Sequence, residues 1–206
     1  MRCTPIVFVI AMLAGGCAGQ PPAGPGPTPA PGCVDFPAQA TSPYILPYET
    51  GSMYLVGRSV EHGDPQRYAI DWLMPIGTPV IASRAGTVIE VESRWPDTDH
   101  TFGHENHVFV MHVDGTVSRY HHLSEGGVIV ASGASVQRGQ RLALSGNSGN
   151  SAAPHLHFDV TEGACEEAWP APFNQSCQRT IPVTFRNTSP NACGVVTGGT
   201  YRAERP

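Results

Sequence analysis

Ser151-Ala-Ala-Pro-His-Leu-His-Phe-Asp-Val160 carries more structural information than any other ten residues of the chain. Pro154 interrupts whatever precedes it. From His155 onward polar and apolar residues alternate with period two, the pattern of a strand. Residues i and i+2 of a strand share a face. The pattern therefore predicts His155 and His157 side by side on one surface, with Leu156 and Phe158 on the other. Neutral imidazole is a common zinc ligand and the usual acid or base near neutral pH. Two on one strand can divide those tasks. A lone His-x-His pair also fits the polar face of an ordinary sheet, but two further segments narrow the choice. Tyr120-His-His-Leu123 predicts a second alternating pair, Tyr120 and His122. Tyr68-Ala-Ile-Asp71 sets a carboxylate between Ile70 and Trp72, which is costly unless the acid is paired or holds a cation.

The 206 residues carry a net charge of −5 and no basic block, which excludes a nucleic-acid binder of the usual electrostatic kind. Residues 1–16 read as an export signal, with Arg2 before the short apolar run Ile6-Val-Phe-Val-Ile-Ala-Met-Leu-Ala14. That run is too short to span a bilayer as a stable helix. Leu13-Ala-Gly-Gly-Cys17 resembles a bacterial lipobox, with Ala14 where leucine is more usual. The resemblance implies a lipid on Cys17 and hence a membrane anchor, ordinary cleavage near Ala18 being the alternative. Ala18 is not an acid, so the resemblance does not suggest retention at an inner membrane. Residues 17–32 are rich in Pro and Gly and form an extended tether. Residues 33–206 are left as one domain, long enough for a sizeable core.

Four cysteines remain in that domain: Cys33, Cys165, Cys177 and Cys193. In an oxidising compartment an even number predicts two disulfides. The preferred pairs are Cys165–Cys177, closing a loop, and Cys33–Cys193, tying the two ends together. Abundant Gly and Pro between short Val/Ile/Thr-rich runs predict an all-β fold. Strands are expected over 44–48, 52–56, 67–73, 80–82, 86–92, 107–112, 116–122, 141–145 and 155–160, with Asp114-Gly115 as a hairpin turn. Gly77-Thr-Pro-Val80 followed by Gly86-Thr-Val is echoed by Gly133-Ala-Ser-Val136 followed by Gly139-Gln-Arg-Leu142. This is the rhythm of barrel-sandwich folds. Biotinyl and lipoyl carriers share it but place a lysine at a hairpin tip, which this chain lacks.

Three ordered blocks, Ala69-Ile-Asp-Trp-Leu-Met-Pro-Ile-Gly-Thr-Pro-Val80, Arg119-Tyr-His-His-Leu123 and Gly146-Asn-Ser-Gly-Asn-Ser-Ala-Ala-Pro-His-Leu-His-Phe-Asp159, together resemble the zinc metallopeptidases of the lysostaphin/LytM type, peptidase family M23. The resemblance runs from about residue 61 to 160 and implies a duplicated hybrid barrel-sandwich motif. It implies one Zn2+ per chain, held by Asp71 and His157. The family's first histidine usually stands four residues before the aspartate, where this chain has Arg67, and arginine stays protonated. His62, across a short loop, is the candidate third ligand. His122 and His155 match the family's two catalytic imidazoles, His122 as leading base and His155 as stabiliser. Asp159 is expected to orient a ligand and Asn147 to do similar work in its loop. His121 is expected to face away from the site, and His112 to be structural. His100, His104 and His107 are expected to be solvated loop residues. The implied function is hydrolysis of peptide bonds in peptidoglycan stem peptides or cross-links, at the cell envelope and on the periplasmic face of an outer membrane. A degenerate domain that binds the wall or activates an amidase is the alternative, and a peptidase of proteins is a third option.

Overall fold

The computed structural model describes residues 35–60, 62–163, 179–190 and 192–205. After a 3-10 turn at Gln39–Thr41, the strands in chain order are β1 (Met53–Ser59), β2 (Ile70–Leu73), β3 (Pro79–Ile81), β4 (Gly86–Glu92), β5 (His107–Met111), β6 (Val117–His121), β7 (Ser135–Val136), β8 (Arg141–Leu144), β9 (Leu156–Thr161) and β10 (Thr200–Arg202). Eight of them form one antiparallel sheet in the order β10-β1-β2-β9-β6-β5-β4-β7, and β3 pairs with β8 in a second. The described part is thus all-β, as composition and turn density predict.

The internal echo is built into the pairing. In the first copy β3 precedes β4, and in the second β7 precedes β8. The copies interlock, β3 with β8 and β4 with β7. Gly77 and Gly133 open the two copies with φ of 86° each, a conformation glycine adopts without steric cost. Both sheets feed one buried cluster: Val80, Leu142 and Ala143 from the small sheet meet Trp72, Val88, Tyr120 and Phe158 from the large one.

β9 lies between β2 and β6, at the middle of the large sheet. Leu156, Phe158 and Val160 point into the core with no exposed surface. The opposite face is buried as well, since His157, Asp159 and Thr161 are almost wholly covered. A simple polar-out strand does not describe it, because polar neighbours fill the second face. Residues 44–48 are buried but form no regular strand. Pro43 and Pro47 deprive them of ladder donors, and their backbone is satisfied singly instead. Ile45 N–H donates to Ser83 O (2.9 Å), and Leu46 N–H donates to Asn187 Oδ1 (2.8 Å). β10 pairs along β1 and brings Tyr201 and Ala203 into the core.

Among the described residues no helix is long and apolar enough to cross a membrane. The leader, Cys17, the tether, Cys33, Cys165 and Cys177 lie outside those residues, and with them the expected lipid site and disulfide pairings.

Phe158 is fully buried, its ring 5.3 Å from that of Tyr120 and 5.9 Å from that of Phe185. Phe158→Ala should lower unfolding stability by about 3–5 kcal/mol, read as a fall in urea midpoint at unchanged slope. A loss below about 1 kcal/mol contradicts this packing.

Candidate active site

Antiparallel register decides which side chains meet. Arg58 stands opposite Asp71, Asp71 opposite His157, His157 opposite His121, and His121 opposite His107. Partners directly across an antiparallel pair share a face. The large sheet therefore presents one transverse row from β1 to β5. Ile70 and Trp72 are buried on the core side, and strand alternation then turns Asp71 to the side of the row.

His62 enters from the loop between β1 and β2. Its Nε2 lies 3.0 Å from Asp71 Oδ2, with the His62 side chain 7% exposed. His157 Nδ1 lies 2.9 Å from the other oxygen, Asp71 Oδ1. The structure thus brings His62, Asp71 and His157 together, with their ligand atoms within 4.8 Å of one another. A second trio, His122, His155 and His157, meets the same limit.

The remaining ring nitrogens are fixed from behind. His157 Nε2 lies 3.3 Å from Asp159 Oδ2, so the ring is held between two carboxylates, Asp71 at Nδ1 and Asp159 at Nε2. Asp159, fully buried, is gripped by Arg119 through Nε (2.7 Å) and Nη2 (2.8 Å). A carboxylate behind a ligating imidazole is a recurring device for setting its tautomer. His122 Nδ1–H donates to Ser148 O (2.7 Å), and His155 Nδ1–H to Ala153 O (2.8 Å). Each ring then offers Nε2 to the cleft. The two rings stand 4.6 Å apart, and His155 Nε2 is 3.6 Å from Asp71 Oδ1. Asn147 Oδ1 accepts from Ser151 Oγ (2.7 Å), which itself lies 3.1 Å from His155 Nδ1.

The electrostatics match this arrangement. Burial raises the Asp71 carboxyl, but hydrogen bonds with His157 and His62 outweigh it and hold Asp71 well below the usual carboxylate range. Burial works against charge on His157 too, yet Asp159 and Asp71 push it up to about 9. The carboxylates that favour a proton there favour a metal cation in its place. Burial, then the neighbouring His155 and His157, press His122 down to about 3, and burial also lowers His155. Both are neutral imidazoles with a lone pair at Nε2.

The alternation expected at 120–122 does not hold. Tyr120 points into the core, where its hydroxyl accepts from Ser83 N–H (2.8 Å). β6 ends at His121, and His122 takes φ of 59°, a left-handed conformation rare outside glycine. This turn sends His122 to the site directly after His121. His121, expected to face away, lies in the row with its ring 5.5 Å from that of His157 and its Nε2 buried without a partner among the described residues. His107 is not solvated either. It is buried, with Nδ1 donating to Glu105 O (2.9 Å) and Nε2 3.0 Å from Glu90 Oε1. His104 is half-buried and stacks on Trp95 at 3.6 Å, whereas His100 is exposed. His112 is a hydrogen-bonded structural residue between Ala85 O (2.9 Å) and Ser118 Oγ (2.7 Å). Arg67, at the position where a histidine was missing, lies over the Tyr68 ring, 5.5 Å from its centroid.

A cleft of about 810 Å3 opens over the row, lined among others by Arg58, Leu73, Phe102, Glu105 and the five histidines 62, 121, 122, 155 and 157. Glu105 carries no sequence signal. It is 6% exposed, with Oε1 accepting from Asn150 N–H (3.1 Å). Gly149 makes room for it: a Cβ there would meet Glu105 Cγ at 2.3 Å.

Residues 65–168, half of the chain, match the model of peptidase family M23. The chain belongs to that family. Among curated relatives it is 40% identical over 90 residues to the peptidoglycan DD-endopeptidase ShyA of Vibrio cholerae, covering 44% of this chain and 19% of ShyA. It is 40% identical over 92 residues to lysostaphin of Staphylococcus simulans, covering 44% of this chain and 17% of that protein. The chain thus spans under a fifth of the length of these relatives. Among solved structures it resembles lysostaphin from Staphylococcus simulans (30% identity, 62% of this chain and 49% of that one, TM-score 0.48). It also resembles a zinc-containing peptidase from Vibrio cholerae (28% identity, 58% and 37%, TM-score 0.45). At such TM-scores these are likenesses only, and the sequence match is what shows the family.

Arg119→Met should be costly, because it leaves Asp159 as a buried charge without its cation. The expected loss is about 3–5 kcal/mol in denaturant unfolding. A near-neutral effect contradicts the role assigned to this pair.

Proposed function

We propose that this M23 chain is a zinc-dependent endopeptidase that cleaves peptide bonds in peptidoglycan stem peptides or cross-links. The observation that carries the proposal is the arrangement around Asp71. Two imidazoles and one carboxylate converge there, while two further neutral imidazoles stand alongside with Nε2 free. Two nitrogen donors and one oxygen donor form a set that suits a catalytic zinc and leaves a coordination position open. When bound, Zn2+ supplies Lewis acidity that polarises the scissile carbonyl and activates water.

The protein's own residues do the rest. His62, Asp71 and His157 hold the ion. Arg119 and Asp159 keep His157 in the tautomer that presents Nδ1. His122, tied to Ser148 O, takes a proton at Nε2 from the attacking water and later returns it to the departing amine. His155, tied to Ala153 O and standing nearer Asp71, supports the charge that develops on the carbonyl oxygen. The names of the relatives favour peptidoglycan as the substrate. The degenerate alternative rested on Arg67, and His62 stands at Asp71 in place of the missing histidine.

Export, a lipid on Cys17 and residence on the periplasmic face of an outer membrane complete the proposal, supported by the leader and lipobox-like sequence. The pairs Cys165–Cys177 and Cys33–Cys193 fit that oxidising location.

Purified protein should hold about one zinc per chain and cleave purified cross-linked muropeptides, with chelation abolishing both. His62→Ala should lose the metal and the activity together. His122→Ala should keep the metal while kcat falls about 100-fold or more. Zinc-free protein, or a His62→Ala variant with metal and activity intact, contradicts the proposal.

A further inference from the structure

The cleft has one feature that hydrolysis does not use. Arg58 is the sole lysine or arginine lining it among the described residues. It is exposed and has no ion-pair or hydrogen-bond partner there. Its place is set by the backbone. Val56 pairs with Trp72 and Arg58 with Asp71, so β1 spends two steps where β2 spends one. The extra residue is Gly57. Without this bulge position 57 would oppose Asp71, and Arg58 would oppose Ile70, which is buried in the core. Bulges beside active sites re-aim side chains in this way. Gly57 leaves this space to the exposed Leu73 side chain, whose Cδ2 a Cβ at position 57 would meet at 2.7 Å.

Arg58 is thereby turned onto the cleft face, its backbone one strand spacing, about 4.8 Å, from that of Asp71, a proposed metal ligand. Among the described residues no carboxylate pairs with Arg58. Asp71 is already surrounded by His62, His157 and His155. Glu105 precedes β5, three strands beyond β2. A metal ion at Asp71 adds further positive charge. An unpaired, planar, always-charged donor fork in a substrate cleft calls for a carboxylate from the ligand.

We propose that Arg58 is a specificity-determining residue that binds a free carboxylate on the substrate residue flanking the scissile amide. The proposal rests on the endopeptidase reading and narrows its substrate class. The favoured substrate carries a carboxylate beside the cleaved bond, and its neutral counterpart is disfavoured.

The test uses two synthetic cross-linked peptides, identical except that one bears the flanking carboxylate and the other its carboxamide. The zinc-loaded wild-type chain should cleave the carboxylate peptide about tenfold better in kcat/KM. In Arg58→Ala that ratio should fall to about one, and Arg58→Lys should restore part of it, with zinc content and thermal midpoint matching wild type. Binding gives an independent readout. In a His122→Ala background, titration calorimetry should show the carboxylate peptide bound about tenfold more tightly, with the difference lost when Arg58→Ala is added. Equal affinity for the two peptides, or a preference that survives Arg58→Ala, overturns the proposal. If neither peptide is cleaved but the Arg58-dependent binding preference stands, the endopeptidase reading fails and the carboxylate site is upheld.

Discussion

Asp71 is the constraint around which the rest is arranged. Ile70 and Trp72 bury their side chains, so the carboxylate between them must face the other side of the sheet. There it is largely removed from water, and a carboxylate in that position demands cations or donors. Antiparallel pairing supplies His157 directly across on β9, and the loop before β2 supplies His62. A one-residue slip between β2 and β9 would flip these side chains to opposite faces. The core residues on the same strands, Leu156 and Phe158 opposite Trp72 and Ile70, exclude that slip by their own burial. Hydrophobic packing on one face thus fixes the polar constellation on the other.

Groups that grip the imidazoles from behind convert proximity into a defined chemical state. Each imidazole in the cleft except His121 has one nitrogen committed or facing Asp71, and the commitments differ in kind. His157 is held by a buried carboxylate that is itself clamped by a guanidinium. His122 and His155 are held by backbone carbonyls of the 147–154 loop. Carboxylate backing strengthens a metal ligand, whereas a carbonyl fixes orientation without adding formal charge. In the proposed reaction the same residue type thereby serves two tasks, set by what stands behind it. Such pre-organisation matters because displacements of about 1 Å cost catalysis heavily.

Much of this was legible in the residues. Period-two alternation places the 155–160 segment on a strand with its histidines on one face, and the two glycine-led echoes anticipate the interlocked β3–β8 and β4–β7 pairs. The all-β class followed from turn density. What escaped was set by backbone geometry that no alternation pattern encodes. The left-handed turn at His122 let two consecutive histidines reach the same cleft, so parity arguments misplaced His121 and wrongly joined Tyr120 to His122. The bulge at Gly57 re-aimed Arg58 in the same unannounced way. His107 read as a loop residue because it borders a polar stretch, yet its pairing opposite His121 buries it. The 44–48 segment looked like a strand from its apolar content, but its prolines remove the donors a ladder needs.

The central claim is that Asp71, His62 and His157 form the metal centre, rather than the all-imidazole trio that shares His157. Zinc K-edge X-ray absorption on the purified, zinc-loaded chain separates the two. The expected coordination sphere holds two imidazole nitrogens and at least one carboxylate oxygen at about 2.0–2.2 Å, and His62→Ala should give no protein-bound zinc signal. A coordination sphere of three imidazoles, unaltered by His62→Ala, contradicts the account.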